Sequence, residues 1–418
     1  MPFSSLLQKH RARLEALTFL RYLGPGLLVT VGFIDPGNWA SNIAAGSGHG
    51  LALLWIVTLG TVMLAILQHN AAHLGIATGE CLAEAATNHM RPAVSRFVLV
   101  SAMLAAVSTA LAEVLGAALG LTLLFPALPR EAGAILVLAV VLALLLTNSY
   151  PKLEKWIIAF VSLIGLSFLY ELTLVHVPWG RAAAAWIVPR FPAGSIPIAM
   201  AVLGAVVMPH NLFLHSEIIQ SRQWNVKNEA VIRRQLKYEF GDTVFSMGVG
   251  WAINSAMIIV AALTFVGQPH VTEIGQAQRM LGPLLGQAAA VVFALALVLS
   301  GLSALITAGF AGGSIFTGFF GESYDIKDPH TRLGAAGTLI LATAIVFLIR
   351  NPFHGLLVSQ MVLSVQLPIT IVTQIRLTSS PAVMGKYANS PGLNVVLWTV
   401  AAVVIGLNGL LLKALVFG

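Results

Sequence analysis

Four consecutive residues, Asp35, Pro36, Gly37 and Asn38, interrupt an apolar run from Leu23 to Ala45. A second interruption, Met208, Pro209, His210 and Asn211, lies in the apolar run from Ile196 to about Ile219. Together they offer a carboxylate, two amides, a thioether and an imidazole, which is a donor set for a cation. A charge at the centre of a lipid-embedded helix costs about 2.5–3.5 kcal/mol on insertion scales, so Asp35 needs a functional reason to be there. Proline breaks the helical ladder and frees carbonyls about one turn upstream, at Gly32 and Ala205, as further oxygen ligands. Mg²⁺ and Ca²⁺ prefer shells made only of oxygen, whereas a thioether suits Mn²⁺, Fe²⁺ and Cd²⁺. A lone methionine in an apolar helix is ordinarily core filling. Met208 stands beside a proline break, and there it argues for a transition metal. The His210 imidazole is suited to accept a proton near neutrality.

Such donors need elements that hold them inside a membrane. Of the 418 residues 57% are hydrophobic and only 9% charged, and the mean hydropathy is +0.87. A soluble domain is about one-quarter charged. The pattern predicts an all-α polytopic membrane protein with eleven spans. They fall at about 23–45, 51–72, 97–123, 132–148, 156–176, 195–220, 240–265, 285–318, 333–349, 355–375 and 391–416. The first and sixth are the broken ones. If they correspond, helices 1–5 (23–176) and helices 6–10 (195–375) form two repeats of five. An odd number of spans inverts the second repeat, which gives a LeuT-like 5+5 arrangement with helix 11 (391–416) appended and the site at the repeat interface. Most of the 23 lysines and arginines then fall on the side of the basic segment 1–22, so the N-terminus is expected in the cytoplasm and the C-terminus outside. The formal charge of +7 is explained by this loop topology rather than by nucleic acid. Residues 1–21 lack an apolar core with a cleavage site, so no signal peptide is expected. The single cysteine, Cys81, excludes an intramolecular disulfide and a cysteine-based metal cluster.

The two tetrapeptides, in this order within an eleven-span chain, resemble the paired signature of the Nramp family of divalent-metal transporters. Residues Leu74–Gly79, Leu111–Gly116, Ser167–Leu172 and Ser364–Pro368 resemble further segments of that family. The resemblance runs from about residue 22 to 416. It implies proton-linked import of Mn²⁺ or Fe²⁺ across the plasma membrane, with Cd²⁺ as a surrogate. It also implies Asp35, Asn38, Met208 and the Ala205 carbonyl as ligands, joined by Gln366 in some conformations. Glu113 and His210 would belong to a proton route. No cofactor is expected beyond the transported ion, and the expected partners are divalent metals, protons and the lipid bilayer.

The chain also departs from the family pattern. Ala110 stands where the family has an aspartate three residues before Glu113, and Ala336 lies in a ninth span that keeps only Arg332. The loss of both buried partners is coherent, since one left alone would be unpaired. Glu217 shares a helical face with His210 and either takes protons from it or snorkels to the inner interface near Arg222. Gln68, His69 and Asn70 are expected at the interface, where the second span ends. Glu171 is expected to pair with a loop arginine or cap a helix, and Asn408 to bond across helices. The basic stretch 221–239 reads as a surface helix or a solvated connector. A Mg²⁺ carrier of the same fold, a LeuT-like amino-acid transporter and a non-transporting metal sensor are the rival readings. Met208, Asp35 and the lack of a soluble output domain weigh against them in turn. No phosphate-binding loop or catalytic triad is present, which argues against a pump or an enzyme.

Overall fold

The computed structural model describes residues 35–147, 165–173, 175–221, 229–265, 271–281, 286 and 289–417. Gly32, the basic segment 1–22, the first half of span one, much of span five and Arg222 lie outside the described residues. All the regular structure within them is helical.

Each of the two prolines begins a helix. Helix α1 (Pro36–His49) opens with proline in its first turn, where the missing N–H is no loss, and Asp35 caps it by accepting from the Asn38 amide. The sixth span is two pieces, α7 (Ile196–Val206) and α8 (Pro209–Ser221), parted at Val207 and Met208. Between α1 and α7 run α2 (Leu54–Thr78), α3 (Leu82–His89), α4 (Pro92–Leu124), α5 (Arg130–Thr147), a helical stretch at 165–171 and α6 (Trp179–Ile187). After α8 come α9 (Glu229–Thr264), a 3-10 helix (Ile274–Leu281), α10 (Ala289–Gly318), α11 (Pro329–Val346), α12 (Pro352–Thr378) and α13 (Pro391–Phe417).

Among the described residues eight helices are long and apolar enough to cross a membrane, with α7 and α8 counted together. Helix α11, with 18 residues, occupies the place of the expected ninth span. Two boundaries differ from expectation. Helix α2 continues to Thr78, and α9 begins at Glu229, so the second half of the basic connector is helix continuous with the seventh span. Glu229 is held there by Arg233 at 2.8 Å and Lys386 at 2.9 Å, which keep its carboxyl below the usual range.

Helix α4 is the centre of the bundle and packs on α10, α12, α11 and α5. Its buried face is rich in alanine (Ala102, Ala105, Ala106, Ala110, Ala112, Ala117), which lets neighbouring backbones approach where apolar burial alone gives little advantage over lipid. In its most apolar stretch 78% of residues are buried, against 28% for α5 and 39% for α13, so those two lie at the periphery. Their outward residues, among them Leu136, Val140, Val395 and Ile405, are apolar, as a lipid-facing surface requires.

Candidate functional site

The Asp35 turn is enclosed by four elements. Asp35 and Asn38 are fully buried. Trp39, next along α1, anchors the turn by packing edge-on against Phe168 at 5.1 Å and against Phe293 at 5.3 Å. A side chain at Gly37 would overlap the Gln360 amide of α12 and press on Ala112 of α4. A side chain at Gly204 of α7 would overlap the Gln360 carbonyl. Glycine at these two places therefore lets both broken spans close on the same turn of α12.

One Asp35 oxygen accepts from the Asn38 backbone, and Oδ2 has no hydrogen-bond partner. The buried Glu113 carboxyl of α4 lies beside that of Asp35, and its Oε2 has no hydrogen-bond partner. The Asn38 amide belongs to a buried cluster. Its Nδ2 donates to Asn254 Oδ1 of α9 at 2.7 Å, its Oδ1 accepts from Asn42 Nδ2 at 3.1 Å, and Asn42 also donates to Asn254 Oδ1 at 2.6 Å.

Ala205 lies four residues before Pro209, which has no N–H to offer its carbonyl, so that oxygen lacks the usual helical donor. Met208 is buried against Ala105 and Leu363, and its sulfur accepts from Asn211 Nδ2 at 3.4 Å. Ala105 is two turns from Ala112 on α4, so the donors are strung over about 10 Å of that helix. His210 is buried, and its Nδ1 has no partner.

Gln366 has partners of its own. Its Nε2 donates to Ser101 at 3.0 Å and its Oε1 accepts from Thr370 at 2.9 Å. Gln360, six residues earlier and about 9 Å along the axis, is fully buried beside Gly37 with Oε1 free. Nothing in the sequence singles out Gln360, which sits with Ser359 in the same polar-dotted span. Glu217 is not at the break either. It is buried, accepting from Ser314 Oγ at 2.9 Å and Tyr324 N at 3.3 Å and touching Cys81, and it does not snorkel. These contacts tie α8 to α10 and the loop after it, and none of them is to His210.

Other expectations are corrected by burial. Gln68 and Asn70 are interior because α2 runs on past them, and Asn70 bonds Asn389 and Gln374. Glu171 is buried with neither oxygen bonded, and it caps no helix. Asn408 donates to the Val404 carbonyl of its own helix rather than across helices. Ala110 is buried in apolar surroundings, and exposed Arg332 donates to the Ile326 carbonyl at 2.8 Å.

Comparison with known proteins gives consistent results. The family model described as "Natural resistance-associated macrophage protein-like" (Nramp) matches residues 26–414. The divalent metal cation transporter MntH of Bradyrhizobium diazoefficiens is 37% identical over 413 residues, covering 96% of this chain and 90% of that protein. MntH of Nostoc sp. is 37% identical over 412 residues, covering 96% and 92%. Among solved structures, the Eremococcus coleocola manganese transporter in complex with an aromatic bis-isothiourea compound superposes with a TM-score of 0.78 at 26% identity, covering 94% of this chain and 86% of that one. The nucleobase-cation-symport-1 family transporter Mhp1 superposes with a TM-score of 0.61 at 14% identity, covering 94% and 93%, which is a likeness of fold.

Proposed function

Because this chain belongs to the Nramp family, we propose that it imports divalent transition-metal ions of the Mn²⁺ and Fe²⁺ class by alternating access. The ion binds where the two broken helices meet α4 and α12. Asp35 supplies the charge, Asn38 and the Ala205 carbonyl supply oxygens, and Met208 supplies sulfur. Gly32 would add a carbonyl, and Gln360 is better situated than Gln366 to add an amide oxygen. The observation that carries this reading is the buried Asp35 turn, whose carboxylate has a free oxygen in a lipid-embedded bundle.

Proton coupling follows from the same turn. A cation arriving at Asp35 favours its deprotonated carboxylate, which links metal entry to proton release. His210 lies two residues beyond Met208 and offers an imidazole to receive it, and Glu217 stands further along α8 toward the inner end. The protein works in the plasma membrane with its N-terminus in the cytoplasm.

The test is Mn²⁺ uptake into proteoliposomes, with and without a pH gradient, with Cd²⁺ as a second probe. The wild type should show saturable uptake. Asp35→Ala should abolish it while the protein still elutes as a folded particle. Wild-type uptake by Asp35→Ala would end the site assignment.

A further inference from the structure

Helix α9 carries a polar stripe that the transport site does not use. Gln235, Glu239, Asp242, Ser246 and Asn254 recur at helical spacing, so they share one face, and all are buried. At one end Asn254 holds Asn38 and Asn42, so the stripe starts at the turn bearing the proposed ligands. Ser246 Oγ approaches Asp242 Oδ1 at 3.5 Å. At the other end the Glu239 carboxylate stands between two imidazoles. His215 Nε2 of α8 is 3.3 Å from Oε1, and His69 Nδ1 of α2 is 2.5 Å from Oε2. Thr243 Oγ1 also donates to Oε1, at 2.6 Å.

Exposure runs one way along this chain. The His215 side chain is 0% exposed, that of Glu239 1%, and that of His69 31%. His73 stacks beyond His69 at 6.5 Å between ring centres and faces Tyr387 at 6.4 Å. On the buried side His215 Nδ1 has no hydrogen-bond partner, and nearby in sequence neither polar atom of Gln68 nor Gln235 Oε1 has one. A purely structural clasp between helices would be served by one neutral hydrogen bond. An imidazole–carboxylate–imidazole chain with a free buried nitrogen at one end and an open ring at the other is the arrangement of a proton wire. Its ligand atoms are not all mutually close. The trio of His, Cys, Asp and Glu whose ligand atoms all lie within 4.8 Å of one another is, among the described residues, Glu322, Asp328 and His330.

We propose that His215, Glu239 and His69 relay protons between the interior of the transport site and the inner membrane surface. A proton taken up at His215 Nδ1 releases the one on Nε2 to Glu239 Oε1. The carboxyl group, turning about its Cγ–Cδ bond, presents that proton to His69 Nδ1, and His69 Nε2 gives one up to the inner solution. Each transfer moves one proton and leaves both imidazoles in the other tautomer, and turnover of the two rings and the carboxyl group restores the starting state. The other titratable groups around the relay are His73 on α2, Asp242 on α9 and Tyr387. The relay rests on the proton-coupled transport reading above.

The experiment uses the full chain in proteoliposomes and records Mn²⁺ entry and internal pH together, at several external pH values. The quantity read is protons moved per Mn²⁺. In Glu239→Gln and in His69→Gln this ratio should fall several-fold, and Glu239→Asp should restore most of it. A clasp without a relay role would lower Mn²⁺ entry and proton entry in the same proportion, leaving the ratio at its wild-type value, and that result overturns the proposal. Should Glu239→Gln fail to fold, His69→Gln carries the test, because its ring is partly open. Wild-type Mn²⁺ entry with no proton movement would instead remove proton coupling itself, and the relay with it.

Discussion

Met208 engages its sulfur with Asn211 while the surrounding groups are Ala105 and Leu363. Losing that sulfur removes the only soft donor at the breaks and leaves the oxygens intact. Met208→Ala should therefore weaken Mn²⁺ and Cd²⁺ binding by at least the roughly tenfold that loss of a supporting group costs a metal site. Ca²⁺ and Mg²⁺ should change far less. Calorimetry with all four ions decides it, and equal losses would take Met208 out of the selectivity argument. Residue type made this end of the site legible, because Asp35, Asn38 and Met208 are anomalous in apolar spans. Gln360 was not legible. Gln360 and Gln366 are the same residue in the same span, and only the close approach of Gly37 and Gly204 shows that Gln360 lies against both proline turns. The His215, Glu239 and His69 chain was hidden for a different reason. Its members come from three helices, and α2 was expected to end just beyond His69.

At the scale of elements, the site depends on how closely α1 and α7 can press on α12. Gly204 faces the Gln360 carbonyl and lies 3.0 Å from Ser364 N, measured to where a Cβ would stand, and neither backbone atom can rotate aside. Gly204→Ala should thus force α7 away from α12. Overpacking of this kind costs typically 1–3 kcal/mol, seen as a lower thermal midpoint and reduced Mn²⁺ affinity. Gly406→Ala in α13 is the matched control, since no atom lies within 4 Å of its added Cβ, and helix propensity alone should leave it neutral or up to about 1 kcal/mol more stable. If the two variants melt alike, close packing at the break is not what holds α7. Proline marked both helix starts, at Pro36 and Pro209, from sequence, because its effect on a helix is local. Helix ends were less legible where polar residues continue a helix inside the protein, as at Asn70 and Glu229, because burial there comes from neighbours and not from hydropathy.

The whole molecule has two polar ends, and the contacts sort its cations between them. At one end Gln220 reaches Gly79 and Glu84, Ser323 reaches Glu84, and Lys386 meets Glu229. At the other Arg130 donates to the Ile349 carbonyl, and Trp55 donates to that of Arg190. The first end carries Arg91, Arg233, Arg234, Lys237, Lys327, Arg376 and Lys386, and in the proposed orientation it faces the cytoplasm. The orientation can be tested cleanly because the chain has one cysteine, Cys81, and its side chain is buried. Background labelling by a membrane-impermeant maleimide should accordingly be low. Lys327→Cys and Arg181→Cys each put a thiol on an exposed site, the first after α10 and the second in α6 between the two repeats. In intact cells the reagent should label Arg181→Cys and spare Lys327→Cys, and in inside-out vesicles the pattern should reverse. Labelling of Lys327→Cys from outside would invert the whole molecule, sending the proposed relay from His215 to His69 outward instead of inward.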